Sequence, residues 1–173
     1  MDRTQLEKMR RACKDARERA LVDVLYSTGC RVSELVNIKT SEVDMKSGEV
    51  EVLGKGKKRR TVYLNAAAIL SIQEYMLQRD DSSPWLFVCE RAPHRQLTRN
   101  QTGKVIRKIA DRANINGVSP HIIRHTTATM ALRAGMPAQD IQRMLGHSKL
   151  DTTMIYAETD QTEVKTEHAR CVV

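Results

Sequence analysis

A change in the spacing of apolar residues constrains the fold of this chain more than any other feature. Both ends of the segment GEVEVLGKGKKRRTVYLN, residues 48–65, alternate apolar and polar side chains, whereas the flanking stretches repeat apolar residues at helical spacing. Val50 and Val52 alternate with acidic residues before a Gly-Lys-Gly turn, and Val62 belongs to a second alternating run after it. The pattern predicts a β-hairpin at about residues 49–64, with a strongly basic tip and return strand.

The shortage of aromatic residues indicates how the rest of the core is built. Phe, Trp and Tyr together make up only 3% of the sequence, so Ala, Val, Ile, Leu and Met must fill the interior. Helices suit such a composition, and no repeat or linker divides the chain. We therefore expect a mostly α fold with a small antiparallel β-hairpin or sheet insert, forming a single domain over residues 1–173.

Helix-start and helix-stop residues predict the boundaries of the helical segments. The N-terminal stretch begins at Thr4, and a second helix ends at Gly29. The segments RVSELVNI and AAAILSIQEYMLQR follow, and the latter is broken by DDSSPWLF. Further helices are expected at residues 99–113, in MPAQDIQRMLGH and in LDTTMIYAE, before a polar tail at about residues 159–173. The buried stripe of the helix at 99–113 is predicted to comprise Val105, Ile106, Ile109, Ala110 and Ala113.

The segment SPHIIRHTTATMALRAG, residues 119–135, places two histidines and an arginine at the start of a helix. Ser119 is a suitable cap, and Gly135 suits the helix end. Helical spacing predicts one face with His121, Arg124, His125 and Ala128, and an opposite face with Ile122, Ile123, Met130, Ala131 and Ala134. The first face suggests a metal site, an anion site or a purely structural role. A zinc site is disfavoured because no Glu lies between the histidines and Arg124 would repel the cation.

Charge favours the anion site. The chain has 29 Lys and Arg against 21 Asp and Glu, a net charge of +8, which points to a polyanionic partner such as nucleic acid, although an inert basic surface remains an alternative. The four cysteines are scattered without a CxxC pair, which favours a reducing compartment. Because no apolar run is long enough to span a membrane and the N-terminus does not resemble a signal peptide, we expect a soluble intracellular protein.

Other residues are candidate partners for such an anion. Arg31 follows STGC at a helix start, Lys55 lies at the hairpin tip, His147 follows Gly146, and Tyr156 comes nine residues later. Each also has a structural interpretation: a surface ion pair between Arg31 and Glu34, a solvated hairpin edge, a helix cap and a half-buried tyrosine. The structural interpretation is kept for His125, Tyr26, Tyr63 and Tyr75.

Together these segments resemble the tyrosine recombinases, the lambda-integrase-like family. TGCRVSEL, GKGKKRRTVYL, HIIRHTTATMALRAG and LGHSKLDTTMIY occur in the family's order over roughly residues 20–157. The resemblance implies a catalytic-domain fold and a complete active set. In that set Arg31 is the first catalytic arginine, Glu34 its orienting neighbour and Lys55 the hairpin lysine. His121 and Arg124 form the H-x-x-R pair, His147 is the second histidine and Tyr156 is the nucleophile.

The resemblance also implies an activity and a partner. Such an enzyme cleaves and rejoins double-stranded DNA through a 3′-phosphotyrosyl intermediate, without a metal or another cofactor, to integrate, excise or resolve DNA elements. Phosphate contacts are expected from the remaining basic residues Lys57, Lys58, Arg59, Arg60, Arg99, Lys104, Arg107 and Lys108. A relaxing topoisomerase and a catalytically silent DNA-binding protein of the same fold are the alternatives.

The family pattern sets further expectations about assembly. Relatives carry an N-terminal core-binding domain, which we expect this chain to lack, and many read Thr-His where this chain has Ala157 and Glu158. The tail after Tyr156 is expected to join protomers into a tetramer on DNA, although a frayed terminus is the alternative, and we expect a monomer when no DNA is bound. We expect the protein in the cytoplasm, at the bacterial nucleoid.

Overall fold

Helices dominate residues 1–54 and 59–146, which are the part of the chain that the computed structural model describes. They are α1 Arg3–Arg11, α2 Ala16–Thr28, α3 Val32–Leu35, α4 Ala66–Leu77, α5 Arg99–Arg112, α6 Pro120–Arg133 and α7 Ala138–Leu145. Local capping accounts for most of the helix starts, because side chains at Asp2, Asp15, Asn65, Thr98 and Ser119 each accept a hydrogen bond from the first turn. The predicted mostly α fold is confirmed. The helix expected around Tyr156 and the tail lie outside the described residues.

The predicted hairpin is present and belongs to a three-stranded antiparallel sheet. Its strands are β1 Val43–Asp44, β2 Glu49–Leu53 and β3 Arg59–Tyr63, in the order β1-β2-β3. Val50 pairs with Val62, and Val52 pairs with Arg60. The sequence did not predict β1, because two residues are too short to show alternation. A short 3₁₀ turn, Thr40–Glu42, precedes it.

The core surrounds α2. This helix is buried on most sides, with Leu21, Val22, Val24 and Leu25 all inaccessible to solvent, and it packs against α4 and α6. The stripe predicted for α5 is also confirmed: Ile106, Ile109 and Ala110 are buried, with Val105 and Ala113 partly buried at its edge. Packing around α2 therefore brings its C-terminal end against α6.

The faces of α6 differ from those expected. His121 and His125 are exposed, but Arg124 and Ala128, expected on the same face, are buried. Ala134, expected on the apolar face, is exposed. The reason is that α6 packs against α2 on one side and α7 on another, so its buried surface covers more than one stripe. The buried positions are Ile123, Arg124, Thr126, Thr127 and Ala128.

Within the described residues, no helix has the length and apolar content that crossing a membrane requires.

Candidate active site

The turn after α2 places the first candidate residue. Gly29 ends the helix in the left-handed conformation, with φ of 56°, and its amide donates to the carbonyl of Leu25 over 3.0 Å. A Cβ atom at this glycine would lie 2.8 Å from Cδ2 of Leu145. Glycine therefore serves two purposes here, because it permits the positive φ and lets the turn approach the end of α7.

Arg31 lies directly after this turn and faces the end of α7. Its Nη1 donates to Oε1 of Glu34 over 3.1 Å, and its Nη2 donates to the carbonyl of Gly146 over 3.1 Å. The side chain keeps 39% exposure. The backbone N–H of Arg31 is not free to bind an anion, because it donates to Oε2 of Glu34 over 2.7 Å. The guanidinium of Arg31, and not its backbone N–H, is thus the group available to an anion.

Arg124 points inward from α6 to the same place. Its Nη1 donates to the carbonyl of Gly29 over 2.6 Å, and its Nη2 donates to the carbonyl of Leu145 over 2.8 Å. Burial, followed by the charge of Arg31, lowers the pKa of this guanidinium to about 10. The group remains protonated at neutral pH, so the site retains a second, partly desolvated cation.

Arg60 reaches the site from β3. Its Nη1 and Nη2 donate to the two carboxylate oxygens of Glu34, each over 2.8 Å, and its Nε donates to the carbonyl of Met144 over 3.1 Å. Glu34 is buried, which by itself raises the pKa of its carboxyl group. The hydrogen bonds from Arg60 and Arg31 outweigh burial, and the pKa lies below its usual value.

Arg31, Arg60 and Arg124, here called the arginine cluster, therefore meet at the C-terminal end of α7. Each donates to one of three consecutive carbonyls in the segment 144–146. The last carbonyls of a helix have no partner within it and carry the negative end of its dipole, so cations are favourable there. One carboxylate, that of Glu34, lies between two of the three guanidinium groups. The arrangement holds several cations side by side near solvent, which suits an anion with more than one oxygen.

The histidine candidate lies on the same helix as Arg124. His121 is exposed in the first turn of α6, three residues before Arg124, so the two side chains are neighbours on the helix. His125 is one turn further and also exposed. Burial, the N-terminal amine of Met1 and His121 together lower the pKa of His125. The other candidates, Lys55, His147 and Tyr156, lie outside the described residues.

Most of the described residues that were expected to contact phosphates are exposed, and one of them faces inward. Arg99, Lys104, Arg107 and Lys108 are all exposed on α5. Arg59 is exposed on the sheet, where it pairs with Glu51. By contrast, Arg60 points inward and keeps 16% exposure, while Lys57 and Lys58 lie outside the described residues.

Sequence reasoning missed the interior position of Arg60, although the sequence contained a signal for it. Arg60 is two residues before the buried Val62 and pairs with the buried Val52, so the alternation of β3 places it on the inner face. The expectation that Arg60 contacts phosphates was based on its positive charge and overlooked the alternation of β3. Gly29 and Cys30 were also not identified as parts of the site. The thiol of Cys30 is fully buried, and burial raises its pKa to about 11.

In the portion of the chain described by the structure, no group of three or more His, Cys, Asp or Glu side chains could hold a metal ion.

Similar sequences cover nearly the whole chain. The sequence model described as the phage integrase family matches residues 1–163. The tyrosine recombinase XerD of Yersinia pestis is 39% identical over 167 residues, which are 90% of this chain and 52% of that protein. XerA of Thermococcus onnurineus is 40% identical over 156 residues, which are 89% of this chain and 53% of that protein. The chain thus spans about half the length of these curated relatives.

Solved structures with a similar fold also cover nearly the whole chain. A crystal structure of XerA recombinase has a TM-score of 0.86 and 31% identity, covering 100% of this chain and 63% of the other. XerH bound to difH substrate in a pre-cleavage complex has a TM-score of 0.81 and 25% identity, covering 98% of this chain and 53% of the other. A lambda integrase dimer bound to a core site shares the fold at 14% identity, with a TM-score of 0.74. Sequence and fold together establish that this chain belongs to the phage integrase family of tyrosine recombinases.

Proposed function

We propose that the chain is the catalytic portion of a site-specific DNA recombinase, which breaks and rejoins strands through a 3′-phosphotyrosyl intermediate. The observation that carries the proposal is the arginine cluster, in which Arg31 and Arg124 direct their guanidinium groups to the adjacent carbonyls of Gly146 and Leu145. The relatives with named activities are tyrosine recombinases, and the XerH structure contains its DNA substrate. An arginine pair of this kind suits a phosphodiester, which has two non-bridging oxygens.

The arginines would stabilise the charge that develops during cleavage. A guanidinium has five N–H groups, and the bonds described above use two in Arg31 and two in Arg124. The remaining donors can point at the non-bridging oxygens of a scissile phosphate. Donors that are fixed before the reaction stabilise a transition state more effectively than water, which must reorient.

The nucleophile and the proton carriers come from residues matched to the family motifs. The hydroxyl of Tyr156 has an ordinary pKa of about 10, so it needs help to attack at neutral pH. His121 accepts the tyrosine proton as general base, and His147 donates a hydrogen bond to a phosphate oxygen. Attack forms the bond between tyrosine Oη and phosphorus and breaks the bond to the 5′-oxygen. Lys55 supplies the proton that this departing oxygen takes up.

The products account for strand exchange. Cleavage leaves a 3′-phosphotyrosyl ester and a free 5′-hydroxyl, and the ester retains the energy of the broken bond. The 5′-hydroxyl of a second strand can then attack the phosphorus and release Tyr156. Exchange between two duplexes requires four such active centres, and we assign the link between protomers to the tail at residues 159–173, with a monomer when DNA is absent.

The exposed basic residues of α5 and Arg59 would bind the DNA backbone and set its register. Contacts of Lys and Arg with phosphates carry no sequence information themselves, and they make affinity depend on salt because binding releases counterions. Other residues would recognise the base sequence of the DNA site. An enzyme with this substrate works in the cytoplasm, at the nucleoid.

Covalent trapping tests the proposal. The chain is incubated with nicked duplexes that lose the short cleaved fragment, comprising the difH sequence and sequences selected for binding to this chain. A denaturation-resistant protein–DNA band is expected with the wild type and not with Tyr156→Phe, which removes one oxygen and little packing. Tyr63→Phe, at an exposed tyrosine on β3, is the matched control and should retain the band.

Each of the other possible outcomes would assign the chain a different function or a different nucleophile. DNA binding without any covalent band would indicate the catalytically silent alternative. Relaxation of supercoiled plasmid without a preferred site would indicate a topoisomerase. A band that persists in Tyr156→Phe would assign the nucleophile to another residue.

A further inference from the structure

Arg60 is turned away from the exposed face of the hairpin. The period of β3 puts Arg59 and Thr61 outside and Arg60 inside, opposite the buried Val52 of β2. All three guanidinium nitrogens of Arg60 donate within the protein, two to Glu34 and one to the carbonyl of Met144. Because its three nitrogens already have partners within the protein, this guanidinium is poorly placed to contact a DNA phosphate.

The end of α7 is built to receive this guanidinium. Gly146 follows the helix in the left-handed conformation, with φ of 67°. A Cβ atom there would lie 3.0 Å from Cζ of Arg60 and 3.1 Å from its Nε. Because that spacing is tighter than ordinary contact, a side chain at residue 146 would push the guanidinium away. Glycine at this position therefore allows Arg60 to close over the last turn.

Two parts of the candidate site depend on this contact. Through Glu34, Arg60 fixes the carboxylate that also binds Nη1 of Arg31. Through the carbonyl of Met144, it fixes the helix end from which the chain continues to His147. One planar fork thus joins the first candidate arginine to the start of the segment that carries the second histidine.

We propose that Arg60 is a positioning residue, which holds Glu34 and the end of α7 in the geometry that cleavage requires and makes no contact with DNA. This inference rests on the proposed function. Lysine cannot take over the role, because a single ammonium lacks the two parallel donors and the third, angled donor that Arg60 uses. A small displacement of catalytic groups reduces the rate strongly, by about a hundredfold for 1 Å.

The first measurement separates positioning from phosphate binding. For Arg60→Ala we expect covalent-band formation at saturating DNA to slow by about a hundredfold. The dissociation constant should stay within about twofold of wild type, and the salt dependence of binding should keep its slope, whereas removal of a side chain that neutralises a phosphate lowers that slope by about 1. Arg60→Lys should remain slow. Weakened binding with a normal rate at saturation, or rescue by lysine, would overturn the proposal.

A matched variant controls for simple destabilisation. Arg112 binds one buried carboxylate, that of Glu18, and one carbonyl, that of Ala12. Neither partner belongs to the candidate site. Arg112→Ala therefore removes the same types of interaction from the fold alone. It should lower thermal stability but leave the cleavage rate unchanged at temperatures below the unfolding transition. If Arg112→Ala slows cleavage as much as Arg60→Ala does, the effect is one of general stability and the proposal fails.

Hydrogen exchange tests the inference independently of DNA chemistry. Arg60→Ala should speed exchange of the amides of Leu145 and Gly146 by about tenfold or more, the effect of removing a charge-assisted hydrogen bond. Arg112→Ala should leave these amides unchanged. Unchanged exchange in Arg60→Ala would refute the positioning role even if the wild type cleaves DNA. Faster exchange in Arg60→Ala, combined with a wild type that forms no covalent band, would refute the recombinase and leave Arg60 as the anchor of α7.

Discussion

Replacing Glu34 by Gln should strongly destabilise the protein, because this carboxylate is the only one that hydrogen-bonds to the arginine cluster among the described residues. It accepts two bonds from Arg60, one from the side chain of Arg31 and one from the backbone N–H of Arg31. An amide at this position keeps one acceptor oxygen but turns an NH₂ group toward guanidinium donors. Three cations, of which Arg60 and Arg124 are largely inaccessible to solvent, would then lie side by side without a compensating charge.

The size of the effect follows from burial. The side chain of Glu34 is 2% exposed, and removing one partner of a buried ion pair costs about 3–5 kcal/mol. We take the lower end, about 3 kcal/mol, because Gln retains the shape and one acceptor. For a chain of this length each 1 kcal/mol lowers the melting temperature by about 2–4 °C, so Glu34→Gln should melt about 6–12 °C below the wild type.

The matched control is Glu51→Gln. This glutamate also pairs with an arginine, Arg59, but its side chain is 45% exposed, and surface pairs contribute about 0–1 kcal/mol. Urea unfolding at 25 °C, followed by far-UV circular dichroism, gives the free energy of unfolding for both variants. A decrease below about 1 kcal/mol in Glu34→Gln, or equal decreases in the two variants, would refute the assignment of Glu34 as the buried counter-ion.

The same variant has a defined pH dependence. Because the folded-state pKa of Glu34 lies below its usual value of 4.5, the ionised group stabilises the fold at pH values above that usual value. This contribution is lost as the pH falls through the lower, folded-state pKa. The difference in stability between wild type and Glu34→Gln should therefore be constant near neutral pH and narrow in acid. A difference that widens in acid would contradict the sign of the shift.

Three further predictions concern other parts of the site. Lys55→Ala should be severely slow on normal DNA but near wild type on a substrate with sulfur at the bridging 5′ position. The thiolate leaves unaided because its conjugate acid has a pKa of about 8.5, far below the pKa of an alcohol; equal impairment on both substrates would make the lysine a phosphate contact. Gly29→Ala should lower the free energy of unfolding by about 1–3 kcal/mol more than Gly117→Ala does. Both glycines have positive φ, but only the first has a side chain of α7 within 2.8 Å of its added Cβ, so equal decreases in urea unfolding would refute the contact. Replacing both Lys104 and Lys108 by Gln should reduce the salt slope of DNA binding by about 2, at roughly 0.9 for each phosphate that is no longer neutralised. An unchanged slope would remove α5 from the DNA-binding surface.

Local chemistry explains why several helices and the hairpin could be predicted from the sequence. The starts of α2 and α6 are encoded by capping side chains within three residues, and the end of α2 is encoded by Gly29. The hairpin is encoded by alternation within each strand. The strand β1 escaped prediction because its pairing with β2 depends on a partner and not on its own two residues.

The positions of the charged side chains required the tertiary structure. On α6, helical spacing alone grouped Arg124 with two exposed histidines, but carbonyls of the α2 turn and of α7 bind its guanidinium and bury it. On β3, alternation indicated that Arg60 faces inward, yet its partners lie on α3 and α7, far from it in sequence. No local pattern specifies such partners.

The sequence by itself therefore determined the helices, the hairpin and the types of residue from which a phosphate-binding site can be made, because caps, periodicity and charge act over a few neighbouring residues. Only the tertiary structure decided which cations form the cluster and which remain on the surface. A guanidinium is stable inside the protein only where a carboxylate or free carbonyls replace its water. Those groups are brought together at the end of α7 by the packing of α2, α3 and α6, and not by their order in the chain.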